Sequence, residues 1–221
     1  MNIKNKQHLW LTGLAGLIGS ILVGTGEFLM HYDSLARYSP DLGYEFMSGI
    51  SESRLSAGHF FAVLGLPFYI LGCWHMYLML KPANKSLAQI TLLIASYGFI
   101  IGAVWIGSRA QIGSIFHLQT SGIDIQSLIT LYEYRYENLL TITRITTLLL
   151  SLSFIYLSLT GKSYYKKWAA VFNPILWIIN CFLVFLITPQ IGKYLMPIAL
   201  NVAFFIFFAM SIWHVKQIKI T

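Results

Sequence analysis

Long apolar runs parted by short polar stretches organise the chain. Six of them, at 9–30, 57–80, 87–107, 139–160, 168–188 and 194–214, have roughly the 20 residues that a helix needs to cross a hydrocarbon core of about 30 Å. The pattern predicts an all-α, polytopic transmembrane bundle of about six spans, forming one domain over residues 1–221. Two longer polar segments, 32–56 and 108–138, are expected on one side of the membrane. In the first, Pro40 and Gly43 break the chain and Tyr44-Glu45-Phe46-Met47 reads as a short interfacial helix. In the second, Gly113 and Gly122 act as breakers. Ile125, Leu128, Ile129 and Tyr132 then follow at helical spacing, lying along the surface or extending the fourth span.

Composition agrees with this reading: 57% of residues are apolar and 10% charged, against roughly 25% charged in soluble domains. No mixed-polarity stretch is long enough to build a separate soluble core. The apolar run after Lys4 and Lys6 continues to Glu27 without a small-residue cleavage site, so it is expected to remain as the first helix. Cys73 and Cys181 fall inside apolar runs with no metal-ligand spacing, which reads as packing.

The net charge of +7 is explained by topology. Lys4, Lys6, Lys81, Lys85, Lys162, Lys166, Lys167, Lys216 and Lys219 fall between or beyond the spans on one side, which the positive-inside rule makes cytoplasmic. Both termini are then inside, and a bacterial cytoplasmic membrane is the expected location. Lysines spread in short clusters do not make a nucleic-acid surface, and none is expected. The acids Glu27, Asp33, Asp41, Glu45, Glu52, Asp124, Glu133 and Glu137 lie toward the other side, with Arg37, Arg54, Arg109, Arg135 and Arg144. They are read either as polar residues that keep the loops solvated, or as an ordered ion-pair network using the bidentate geometry of arginine.

Helix contacts are expected along Gly16, Ser20 and Gly24, and along Gly98 and Gly102, where small residues let backbones approach. Pro67, Pro189 and Pro197 free carbonyls or kink their helices.

An ionisable residue inside a span costs a few kcal/mol unless it faces protein or water, which makes it a site candidate. Glu27 lies a turn below the outer boundary, with His31 on the same face, and His59 begins the second span from the same side. Arg144 lies inside the fourth apolar run and is expected to turn inward to Glu27, along a polar stripe with Thr147, Ser151 and Ser158; the alternative is that its long side chain snorkels to the outer interface. Arg109 and His117 roof the region, with Glu133, Arg135, Glu137 and Asn138. Glu27, His31 and His59 are the residues a metal would use, but no spacing signature supports one and none is assigned. Asn180 and Asn201 are read as helix-to-helix hydrogen bonds.

The stretch from Gly24 to Pro82 carries Gly26-Glu27-Phe28-Leu29, Tyr44-Glu45-Phe46-Met47, Ser53-Arg54-Leu55, Gly58, Gly65, Pro67, Tyr69, Gly72 and Tyr77. This layout resembles an uncharacterised family of bacterial multi-pass membrane proteins, a domain of unknown function. The resemblance implies a fold and a membrane location, places Glu27 at the family's acidic position after glycine, and brings no activity or cofactor.

The leading reading is an outward-facing polar cavity that binds a small polar molecule or lipid head group through Glu27, His31, His59, Arg109 and Arg144. Catalysis there, with Glu27 as general base, is left open. The rivals are a small proton- or ion-coupled transporter, which needs a polar path to the cytoplasmic side, and an assembly subunit whose ion pairs lock its loops.

Overall fold

The computed structural model describes residues 3–37, 43–120 and 125–218. Pro40, Asp41, Gly122, Asp124 and Lys219, named above, lie outside them. The described residues form helices α1 (Ile3–His31), α2 (Glu52–Leu80), α3 (Lys85–Thr120), α4 (Gln126–Leu159), α5 (Pro174–Ile187), α6 (Pro189–Leu195) and α7 (Ala199–Gln217), joined by short 3-10 turns. Four of the long helices, and the near-continuous stretch Pro189–Gln217, are long and apolar enough to cross a membrane.

The apolar run expected as a fifth span is divided. Lys167–Phe172 is a 3-10 turn, and α5 starts afresh at Pro174, with the Asn173 side chain accepting from the Leu176 N–H at 3.2 Å. Proline at the first helical position loses no intrahelical bond, so the Asn-Pro pair is a start signal inside apolar sequence. The resulting 14 residues rise about 21 Å, short of a roughly 30 Å core.

The segment expected as an outer loop over 108–138 is mostly helical: α3 continues to Thr120 and α4 begins at Gln126. Gly113 does not break α3, because it lets Leu55 of α2 pack against the backbone; an added Cβ would lie 2.7 Å from Leu55 Cδ1. In the first outer segment, Glu45–Gly49 forms a 3-10 turn that buries Phe46 and Met47, with Ile50 just beyond it. This turn plugs the end of the bundle that carries Glu27 and Arg109. Beside it, hydrogen bonds from Arg37 hold the Asp33 carboxyl below the usual carboxylate range.

Glycines set the contact between α1 and α2. An added Cβ on Gly26 would lie 2.4 Å from the Gly58 carbonyl oxygen, and one on Gly19 would lie 2.9 Å from the Tyr69 nitrogen, so α1 and α2 touch backbone to backbone. The expected Gly16–Gly24 stripe is a packing face: Gly16 meets the Phe208 ring of α7 and Gly72 of α2, and Gly24 meets Asn201 of α7.

At the other end, Lys6 Nζ donates to the Lys216 carbonyl at 2.9 Å and the Ile218 carbonyl at 2.8 Å, so both chain ends share one face of the bundle. The Tyr164 N–H donates to the Met79 carbonyl there. Lys193 lies apart from this group: its neighbour Tyr194 stacks on Tyr32, at the end of α1 that carries Glu27.

Candidate functional site

Five spans each contribute one polar side chain to a single buried network. Glu27 of α1 and Arg109 of α3 form an ion pair, Nη1 to Oε1 at 3.3 Å, with both side chains almost completely buried. The second carboxylate oxygen of Glu27 accepts from Asn201 Nδ2 of α7 at 2.7 Å, and Asn201 Oδ1 accepts from the Tyr69 hydroxyl of α2 at 2.6 Å. On the far side, Arg109 Nε donates to the Tyr136 hydroxyl oxygen of α4 at 2.9 Å, and Nη2 donates to the same atom. The guanidinium also lies 4.4 Å from the centre of the Trp105 ring, a cation–π contact that favours the desolvated cation.

The chain order Tyr136–Arg109–Glu27–Asn201–Tyr69 neutralises one charge with the other and satisfies their hydrogen bonds. These are the conditions under which ionic groups persist in a low-dielectric interior. The plugging turn roofs it: His31 stacks on Phe46 with ring centres 5.5 Å apart, and Tyr44 sets its ring edge-on to Tyr136. The Tyr44 hydroxyl donates to Glu137. Burial, the nearby Tyr136 and this hydrogen bond hold it above the ordinary tyrosine range, so it remains a donor.

Beneath the network is a pocket of about 40 Å3 between α1, α2, α3, α4 and α7, room for about three waters. Its wall is mostly small or apolar, including Ala62, Ala95, Gly98, Gly102 and Ala103. The Thr143, Thr146 and Thr147 hydroxyls at its edge donate to carbonyls of their own helix. Glu27, Tyr69, Asn201 and Trp105 supply the other polar groups. Trp105 is buried, and its indole Nε1–H has no hydrogen-bond partner among the described residues.

The predicted site residues therefore separate. Glu27 and Arg109 are joined, with His31 one turn above Glu27. His59 lies elsewhere, in a groove of about 410 Å3 between α2 and α3, with Glu52, Ser56, Gln111 and Ser114. Arg144 is corrected: it sits on the exposed face of α4, and the partner expected from it is supplied by Arg109. The reason is rotational, since Thr143, Thr146 and Thr147 line the pocket and Arg144, one residue past Thr143, is turned about 100° from it. The metal candidates Glu27, His31 and His59 do not converge; among the described residues no group of three His, Cys, Asp or Glu side chains could hold an ion.

Sequence reading missed Tyr69, Tyr136 and Trp105. Tyr136 stands in the run Tyr132–Tyr136, where an aromatic inside a polar-looking segment was the available signal. Asn201 makes the expected helix-to-helix bond, with the Glu27 carboxylate as its partner, whereas Asn180 donates within its own helix to the Leu176 carbonyl.

A family model described as "Family of unknown function (DUF6796)" matches residues 1–217. No curated protein matches the chain, and no solved structure does.

Proposed function

The chain belongs to this family of unknown function, and from that premise we propose that it is a membrane-embedded binding protein. Its central pocket takes a small, neutral, mainly apolar molecule that carries a hydrogen-bond acceptor. The observation that carries this reading is the buried Nε1–H of Trp105, a residue that lines the pocket, which has no hydrogen-bond partner among the described residues. A buried polar group left unpaired costs about 1–3 kcal/mol, which an acceptor on a ligand recovers. Neutrality follows from the charge balance above the pocket: a charged ligand must break the Glu27–Arg109 pair, at about 3–5 kcal/mol. Small wall residues leave the space open, and a guest larger than a few waters requires the Phe99 and Phe204 rings at its floor to turn. The proposed setting is a bacterial cytoplasmic membrane, with the lysine-rich end inside.

One observation weighs against the transporter reading. A second buried polar cluster lies toward the lysine-rich end: His75 Nδ1 meets the Leu9 carbonyl at 2.8 Å, and its Nε2 meets Ser211 Oγ at 2.6 Å. Tyr165 and Ser211 share a hydrogen bond of 2.7 Å. Between this cluster and Glu27, the rings of Phe99, Phe204 and Phe208 gather around Tyr69, an apolar layer that parts the two polar clusters. Nor does the geometry favour Glu27 as a general base, since both its oxygens already accept hydrogen bonds.

The test is native mass spectrometry of gently extracted wild type beside Trp105→Phe and Glu27→Gln. Bound mass on wild type that falls in Trp105→Phe, a variant that keeps an aromatic ring and removes the N–H, supports the pocket and identifies its ligand class. If wild type is bare, the reading is overturned, and the network is a helix lock.

A further inference from the structure

A third concavity opens on the surface of the bundle. It lies between α3 and α4 at the outer end and measures about 600 Å3, within the range of ordinary ligand sites. Its polar rim includes Ser108, Gln111, Arg135 and Asn138, while Val104 and Ile142 make its apolar floor. From Arg135 to Ile142 the groove descends about 10 Å along α4. Below it the exposed surface continues as an aliphatic track, with Ile100 and Leu93 on α3 and Ile145 and Leu149 on α4.

Charge is sorted around α4 so that only the cation borders this groove. Arg135 is exposed and makes no ion pair among the described residues; its guanidinium lies 5.6 Å from the Tyr132 ring centre. The acids on either side in sequence turn away: Glu137 accepts from the Tyr44 hydroxyl, and Glu133 Oε1 borders Gly43 in the outer segment. A guanidinium at the head-group boundary, above a track of aliphatic side chains, matches one occupant in both polarity and length. We infer that this groove holds an anionic phospholipid of the outer leaflet, its phosphate on Arg135 and its acyl chains along the Ile100–Ile145 track.

This site is independent of the central pocket, so each stands or falls alone. The experiment reconstitutes the full chain into vesicles of phosphatidylglycerol and phosphatidylcholine in equal parts, then reads the lipids retained on the protein by native mass spectrometry after mild extraction. Wild type is expected to retain phosphatidylglycerol in preference, and Arg135→Gln to lose about fivefold of that preference, the factor corresponding to about 1 kcal/mol per arginine near a membrane surface. Arg144→Gln removes an equal charge from the other side of α4 and is expected to keep the preference. Three results overturn the assignment: equal retention of both lipids by wild type, an unchanged preference in Arg135→Gln, or an equal loss in Arg144→Gln, which marks bulk charge instead of a site.

Discussion

Arg109 and Arg144 show how one residue type takes opposite roles at similar hydropathy. Arg109 is fully wrapped by Glu27, Tyr136 and Trp105, whereas Arg144 is exposed on α4. Removing the partner of a buried charge is far more damaging than removing the pair. Arg109→Met is therefore expected to lower stability by about 3–5 kcal/mol, and the double change Glu27→Gln with Arg109→Met to recover most of that loss. Thermal unfolding in detergent, followed by intrinsic tryptophan fluorescence, measures both. If the double variant is as unstable as the single one, the pairing is not what stabilises the bundle. At this scale the importance of Glu27 was legible, because a carboxylate inside an apolar run needs a partner wherever it sits. Which arginine answers it was not, since helical rotation turns Arg144 away from a face that Thr143 and Thr147 share.

Among the elements, the α1–α2 contact tolerates little added bulk. Its backbones approach so closely at Gly26 and Gly58 that a methyl group on Gly26 would fall 2.4 Å from a carbonyl oxygen, which no rotamer change relieves. Gly26→Ala is expected to destabilise by about 1–3 kcal/mol and to displace Glu27 from Arg109 as α1 shifts, whereas Gly49→Ala, with open space around it, is expected to be near neutral. Melting temperatures of the two variants side by side test this, and equal values refute the close contact. Element existence was readable from apolar runs, but the lengths of α3 and α4 were not. Their halves toward the Glu27 end carry the polar residues of the network and its roof, so hydropathy alone ended them early. The short α5 was hidden for the converse reason: Asn173-Pro174 restarts a helix inside a run that stays apolar throughout.

For the molecule as a whole, orientation is the property that both candidate sites depend on, because it decides which leaflet and compartment they face. A membrane-impermeant maleimide applied to intact cells is expected to label Ser48→Cys in the outer turn and to spare Ser86→Cys at the lysine-rich end; the native Cys73 and Cys181 are buried. Labelling of Ser86→Cys alone reverses the orientation. What the sequence by itself determined is the class of this protein: apolar runs of spanning length, sided lysines and a buried acid are local or additive properties, and they survive without knowledge of any neighbour. Only the tertiary structure decided the partners. The chain from Tyr136 to Tyr69 crosses five helices, and the groove at Arg135 lies between two. Each depends on the rotation and axial offset of whole helices, quantities set by glycine contacts and ring packing across the bundle and carried by no single segment.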